Sequence, residues 1–120
     1  MFHTSYFRDS YSDFKSALKS YDKNFNESLF LKAIEVAETS HKDQFRASGD
    51  PYIVHPYEVC KSLIDLKLDT ETVITGLLHD VIEDTSYSSE QLNKEFGPSI
   101  SNLVNGLTKI DFLEEKKITT

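Results

Sequence analysis

Apolar residues in this chain recur at steps of three and four, and no segment alternates convincingly at steps of two. Phe7, Tyr11, Phe14, Leu18, Tyr21 and Phe25 form one such stripe, the spacing that stacks side chains on a single face of a helix. Ser10 followed by Asp13 reads as a variant capping box, which predicts a first helix over about 9–24. Asn26 is placed to cap a second helix running to about His41, with Phe30, Ile34, Ala37 and His41 on one face and Leu29 and Ala33 beside it. Ala-Ser-Gly-Asp-Pro at 47–51 is a turn-rich break. A third helix is expected to begin near Pro56, a first-turn position, and to carry Val59, Leu63 and Leu66 inward. Asp69 or Thr70 can cap a fourth. Ser88 with Gln91 predicts a capping box for a short fifth helix that stops at Gly97. Pro98 can open a sixth, where Ile100, Leu103, Val104 and Leu107 repeat at helical spacing. The expected fold is all-α, an irregular bundle of about six helices forming one domain over 1–120.

The fourth helix carries an anomaly. After Val73, Ile74, Leu77 and Leu78 the chain reads His79-Asp80-Val81-Ile82-Glu83-Asp84. Three carboxylates and an imidazole crowd a helix C-terminus, where the backbone macrodipole already disfavours anions. The arrangement is destabilising unless a cation binds there. His79 and Asp80 leave the helix about 100° apart and can bend toward a point between those directions. Glu83 lies one turn after His79, and Asp84 one turn after Asp80. Nitrogen and oxygen donors together suit a divalent ion such as manganese, iron or zinc rather than a thiolate-selected metal. Carboxylates one turn along are placed to orient a water or carry a proton. If His55 reaches the same point, the chain holds most of a metallohydrolase centre.

Charge and cysteine usage narrow the class. A net charge of −7 argues against nucleic-acid or membrane-surface binding, both of which require a basic face. Any phosphate-rich substrate would need local cations or a metal. Cys60 is the sole cysteine, so no intrachain disulfide can form, and a lone thiol fits a reducing cytosol. The first residues show neither the basic nor the apolar segment of a signal peptide. A cytoplasmic location is expected.

Beyond these local patterns, the stretch 41–110 resembles the hydrolase domain of the RelA/SpoT homologues, a branch of the HD-domain phosphohydrolases. The resemblance is carried by His41-Lys42-Asp43-Gln44-Phe45-Arg46-Ala47-Ser48-Gly49-Asp50-Pro51-Tyr52-Ile53-Val54-His55-Pro56. It continues through Leu77-Leu78-His79-Asp80-Val81-Ile82-Glu83-Asp84-Thr85, Phe96-Gly97 and Leu103-Val104-Asn105-Gly106-Leu107-Thr108-Lys109. It implies an HD-domain-like helical fold that removes pyrophosphate from the 3′ position of guanosine tetraphosphate and pentaphosphate with a bound Mn2+. The metal ligands it implies are His55, His79 and Asp80. Glu83 and Asp84 would be the catalytic pair that handles the attacking water. Arg46 and Ser48 belong to a loop that meets the guanine and a phosphate; Ala47 stands where the family commonly has Lys. The family's fourth ligand, an Asp beyond the Thr-Lys block, has no counterpart, so a three-ligand, shortened domain is expected. The alternatives are a degenerate module that binds alarmone or metal without turnover, or an interaction protein that self-associates or takes a partner to complete its fold.

His41, on the apolar face of its helix, is expected to be structural and to bond the loop that follows. Cys60 is expected to pack in the core. Lys109 is expected to be either a solvated lysine or a phosphate contact, and the charged run 114–117 to be solvated surface.

Overall fold

The computed structural model describes residues 5–107, with side chains from residue 10 onward. The Phe7 side chain, Lys109 and the run 114–117 lie outside it. Among the described residues the chain is helical, with no strand and one isolated bridge between Phe45 and Pro51. The helices are α1 (Ser5–Tyr21), α2 (Glu27–Ser40), α3 (Val54–Asp65), α4 (Thr70–Asp84) and α5 (Ser89–Phe96). A sixth, α6, occupies residues 98–107 of the described part. The expected all-α bundle of about six helices is borne out.

Most helix starts follow the side chains that sequence placed there. Asn26 accepts from the Leu29 amide, Asp69 from that of Thr72, and Ser88 with Gln91 closes a reciprocal capping box, each satisfying amides that the first helical turn leaves without partners. Gly97 ends α5 at φ +90°, a conformation that favours glycine.

The first helix departs from expectation. It runs Ser5–Tyr21 rather than over about 9–24, so Ser10 lies inside the second turn and caps nothing. Its end comes early because the Asp22 carboxylate is used elsewhere. Asp22 Oδ1 accepts from the Asn24 amide at 2.9 Å, while Oδ2 accepts from the Thr70 amide at 2.9 Å and the Thr70 hydroxyl at 2.6 Å. Those bonds, led by the Thr70 hydroxyl, hold Asp22 below the usual carboxylate range. They also tie the α1–α2 turn to the start of α4. Phe25 still reaches the core from this turn, 6.0 Å from the Phe30 ring.

The core is built from Phe14 and Leu18 of α1, Phe30, Ala33, Ile34 and Ala37 of α2, Tyr57, Cys60 and Ile64 of α3, and Val73, Ile74, Leu77, Leu78 and Val81 of α4. Leu92 and Phe96 of α5, with Ile100 and Val104 of α6, close one end. Cys60 is fully buried, and burial pushes its thiol well above its ordinary value. Leu66, expected to point inward, is 69% exposed. α3 stops at Asp65, so Leu66 sits in the turn and the helical period no longer applies; Leu63 and Val59 do face α4, half-buried, beside the fully inward Tyr57, Cys60 and Ile64.

α3 and α4 run antiparallel through a tight turn in which Lys67 adopts φ +61°. Where they cross, Gly76 takes the place of a side chain. A Cβ there would stand 2.5 Å from Leu63 Cδ1 and 3.2 Å from Val59 Cγ1. Close approach of the two helices at this point sets the distance across which their functional side chains meet.

One core group is anomalous. Glu38, on the apolar face of α2, is 2% exposed. Burial pushes its carboxyl from the ordinary 4.5 up to about 7, with the Tyr57 hydroxyl offsetting part of the cost. Folding therefore favours the protonated acid, and the stability this confers is present below pH 4.5 and is lost as pH rises through about 7. At about 1.4 kcal/mol per pH decade the loss is on the order of 3 kcal/mol. Replacing Glu38 by Gln should remove it. The advantage of Glu38→Gln over the parent in urea unfolding is expected to grow between pH 5 and pH 8, and an equal difference at both values would refute this assignment.

Candidate metal centre

α3 begins without a side-chain cap. The Val54 amide donates to the Pro51 carbonyl at 3.2 Å and the His55 amide to that of Tyr52 at 3.0 Å. Pro56 has no N–H to satisfy. This loop-bonded start fixes His55 in the first turn of α3, facing the last two turns of α4.

There the predicted side chains meet. His55 Nε2 lies 3.3 Å from Asp80 Oδ2, and His79 Nδ1 lies 3.3 Å from Asp80 Oδ1. Asp80 thus stands between two imidazoles from two helices. On the other edge of the His79 ring, Nε2 is 3.5 Å from Glu83 Oε2. The Asp80 side chain is 13% exposed, His79 23%, Glu83 29% and His55 41%, so the cluster is sheltered at its base and open at its rim. His79, Asp80 and Glu83 each offer a donor atom within 4.8 Å of the others, a possible metal-binding group.

The donors fit a divalent ion. Bonds of about 2.0–2.2 Å to nitrogen and oxygen ligands set neighbouring donors roughly 3–3.5 Å apart, which matches the His79–Asp80 spacing; His55 meets the other Asp80 oxygen and stands outside the three residues whose donors converge within 4.8 Å. The set joins borderline imidazole to hard carboxylate and contains no thiolate. Three acidic groups at one helix end also supply the negative charge that a cation would neutralise.

Asp84 is turned differently. Its Oδ2 accepts from the Tyr52 hydroxyl at 3.1 Å, and its backbone carbonyl accepts from Gln44 Nε2 at 2.8 Å. Thr85 caps the helix end by donating from its hydroxyl to the Val81 carbonyl at 2.6 Å. Tyr52 interacts with Asp80 as well. Burial, then the Asp80 charge and the Asp84 bond, push its phenol far above the ordinary value, so it remains a donor. Neither Tyr52 nor Gln44 was given a role by sequence reasoning. The only signal for them was their place in the motif block ahead of His55.

The loop between α2 and α3 is closed on itself. The Arg46 amide donates to the Asp50 carbonyl at 2.8 Å, and the Gly49 amide to the Arg46 carbonyl at 2.8 Å, with Gly49 at φ +92°. The Ser48 hydroxyl donates to Asp50 Oδ2 at 3.1 Å. Arg46 and Ser48 are exposed on this loop. Its base is fixed to α4 through Gln44. Because Gln44 Nε2 is committed to Asp84, its Oε1 faces His41 Nδ1 at 2.9 Å. His41, buried at 2%, therefore bonds the loop that follows it.

Residues 33–119 match the HD domain family, and the chain belongs to it. The resemblance to RelA/SpoT-type proteins is also borne out. The chain is 51% identical over 79 residues to a guanosine-3′,5′-bis(diphosphate) 3′-pyrophosphohydrolase of Haemophilus influenzae, covering 66% of this chain and 12% of that protein. It is 43% identical over 102 residues to the protein of the same name from Borreliella burgdorferi, covering 85% and 15%. A probable GTP pyrophosphokinase of Mycobacterium leprae is 45% identical over 93 residues, covering 78% and 12%. The chain thus spans 12–15% of the length of these curated relatives.

Gln44→Ala should cost about 1–3 kcal/mol in chemical unfolding, because it strips a partner from both the buried His41 ring and the last carbonyl of α4. An unchanged unfolding midpoint would mean that the loop anchor contributes nothing.

Proposed function

We propose that this chain is a metal-dependent 3′-pyrophosphohydrolase module acting on guanosine tetraphosphate and pentaphosphate in the cytosol. The observation that carries this reading is Asp80 standing 3.3 Å from both His55 and His79, in a chain 43–51% identical over the matched stretch to two proteins named for that activity. His55, His79 and Asp80 would hold the metal, with manganese as the proposed ion. When bound, it supplies a Lewis acid and offsets the negative charge of both the acidic cluster and the substrate.

The protein's own groups do the rest. Glu83 and Asp84 flank the rim of the cluster and orient the attacking water, one of them taking its proton. The water oxygen forms a bond to the phosphorus attached at the ribose 3′ oxygen. The bond from that phosphorus to the 3′ oxygen breaks, the 3′ oxygen takes up a proton to become a hydroxyl, and pyrophosphate leaves together with the guanosine 5′-diphosphate or 5′-triphosphate. Arg46 offers a planar cation that can stack on guanine or pair with phosphate, and the Ser48 hydroxyl a hydrogen bond. Both belong to the loop whose base is tied to α4.

Purified protein with Mn2+ and guanosine tetraphosphate should release pyrophosphate. His79→Ala should release none, and Glu83→Gln should lower turnover by about 10²- to 10⁴-fold. Chelation should abolish the activity and added Mn2+ restore it. Saturable alarmone binding by calorimetry without product would instead identify a module that binds but does not turn over.

The exposure of Leu103 and Leu107, 45% and 36%, favours a second role in association, since apolar residues left open along one helix form a surface for a partner or a second copy. A strictly monomeric species in light scattering at micromolar concentration would remove that role.

A further inference from the structure

Tyr52 meets Asp84, Asp80 and His55 of the candidate centre without being a potential metal ligand itself. Its hydroxyl donates to Asp84 Oδ2 at 3.1 Å and interacts with the Asp80 carboxylate. Its ring packs edge-on to His55, with centroids 6.1 Å apart and planes at 69°, and lies tilted against His41 at 4.7 Å. Its backbone amide donates to the Gln44 carbonyl at 2.9 Å, and the Gln44 side chain holds the Asp84 carbonyl at 2.8 Å. Two independent bonds therefore join residues 44–52 to the end of α4. One runs through the Gln44 amide to backbone, the other through the Tyr52 phenol to the side chains that face the metal position.

We infer that Tyr52 is a positioning residue of the metal centre, its hydroxyl setting the placement of the Asp80 and Asp84 carboxylates while its ring holds the His55 imidazole. The inference rests on the metal-centre reading above. Asp80 sits between two imidazoles, and a carboxylate in that place can rotate about its terminal bond unless something fixes its plane. A neutral hydroxyl does so without adding charge. It also draws Asp84 toward the same point, so the ligand and the water-orienting acid keep a fixed relation. Hydrogen bonds to ligating carboxylates commonly influence metal affinity by about 10- to 100-fold.

The hydroxyl and the ring can be separated experimentally. Tyr52→Phe keeps the ring contacts with His41 and His55 and removes only the donor; Tyr52→Leu removes both. Mn2+ affinity would be measured by electron paramagnetic resonance titration, per folded protein as judged by circular dichroism. Tyr52→Phe is expected to bind Mn2+ about 10-fold or more weakly than the parent, with Tyr52→Leu at least as weak. Parent-like affinity in Tyr52→Phe, with loss only in Tyr52→Leu, would overturn the positioning role while leaving the metal centre standing. A parent protein that binds no Mn2+ would remove the centre and the inference together. A measurement on the parent chain is independent of how the variants fold. The Tyr52 Cζ resonance in protein carrying 13C-labelled tyrosine should move saturably as Zn2+, a diamagnetic stand-in, is added. A resonance that stays fixed while Zn2+ binds would overturn the inference.

Discussion

The Asp80 carboxylate between His55 and His79 is the contact on which the functional architecture turns. It joins the first turn of one helix to the last turns of another, so it exists only if α3 and α4 pack antiparallel at the observed depth. The field of the backbone acts on both sides of it. The N-terminal end of α3 favours negative charge and the C-terminal end of α4 disfavours it, so the acidic cluster is set where one helix dipole tempers the other. What remains unbalanced is negative, which is the condition for drawing in a cation.

Much of the fold was legible because helical spacing and caps are local. Asn26, Asp69 and Ser88 cap where their side chains predicted, and Gly97 ends α5. The failures have non-local causes. The end of α1 is decided by Asp22 bonding Thr70, 48 residues away in sequence, which no window of neighbours reveals. Leu66 continues an apolar pattern past the point where its helix has ended.

The cluster was legible for a different reason. His79, Asp80, Glu83 and Asp84 make an expensive helix end, and expense without structural return is visible in sequence. That His55 comes within 3.3 Å of Asp80 was expected through the motif resemblance rather than from spacing, since contact between two helices has no periodic signature. Tyr52 and Gln44 were invisible as actors. A tyrosine and a glutamine in a loop carry no anomaly of charge or pattern, and their importance arises only once the loop folds back on α4.

Gly76 bears on all of this from outside the cluster. It lies one turn before His79, under Leu63 and Val59 of the facing helix. Any added volume there would act as a wedge, with α3 as the lever arm and His55 at its far end. The precision of the centre is therefore governed partly by a position that offers no chemistry at all, and drift in its size would blunt the site while every reactive group stayed in place.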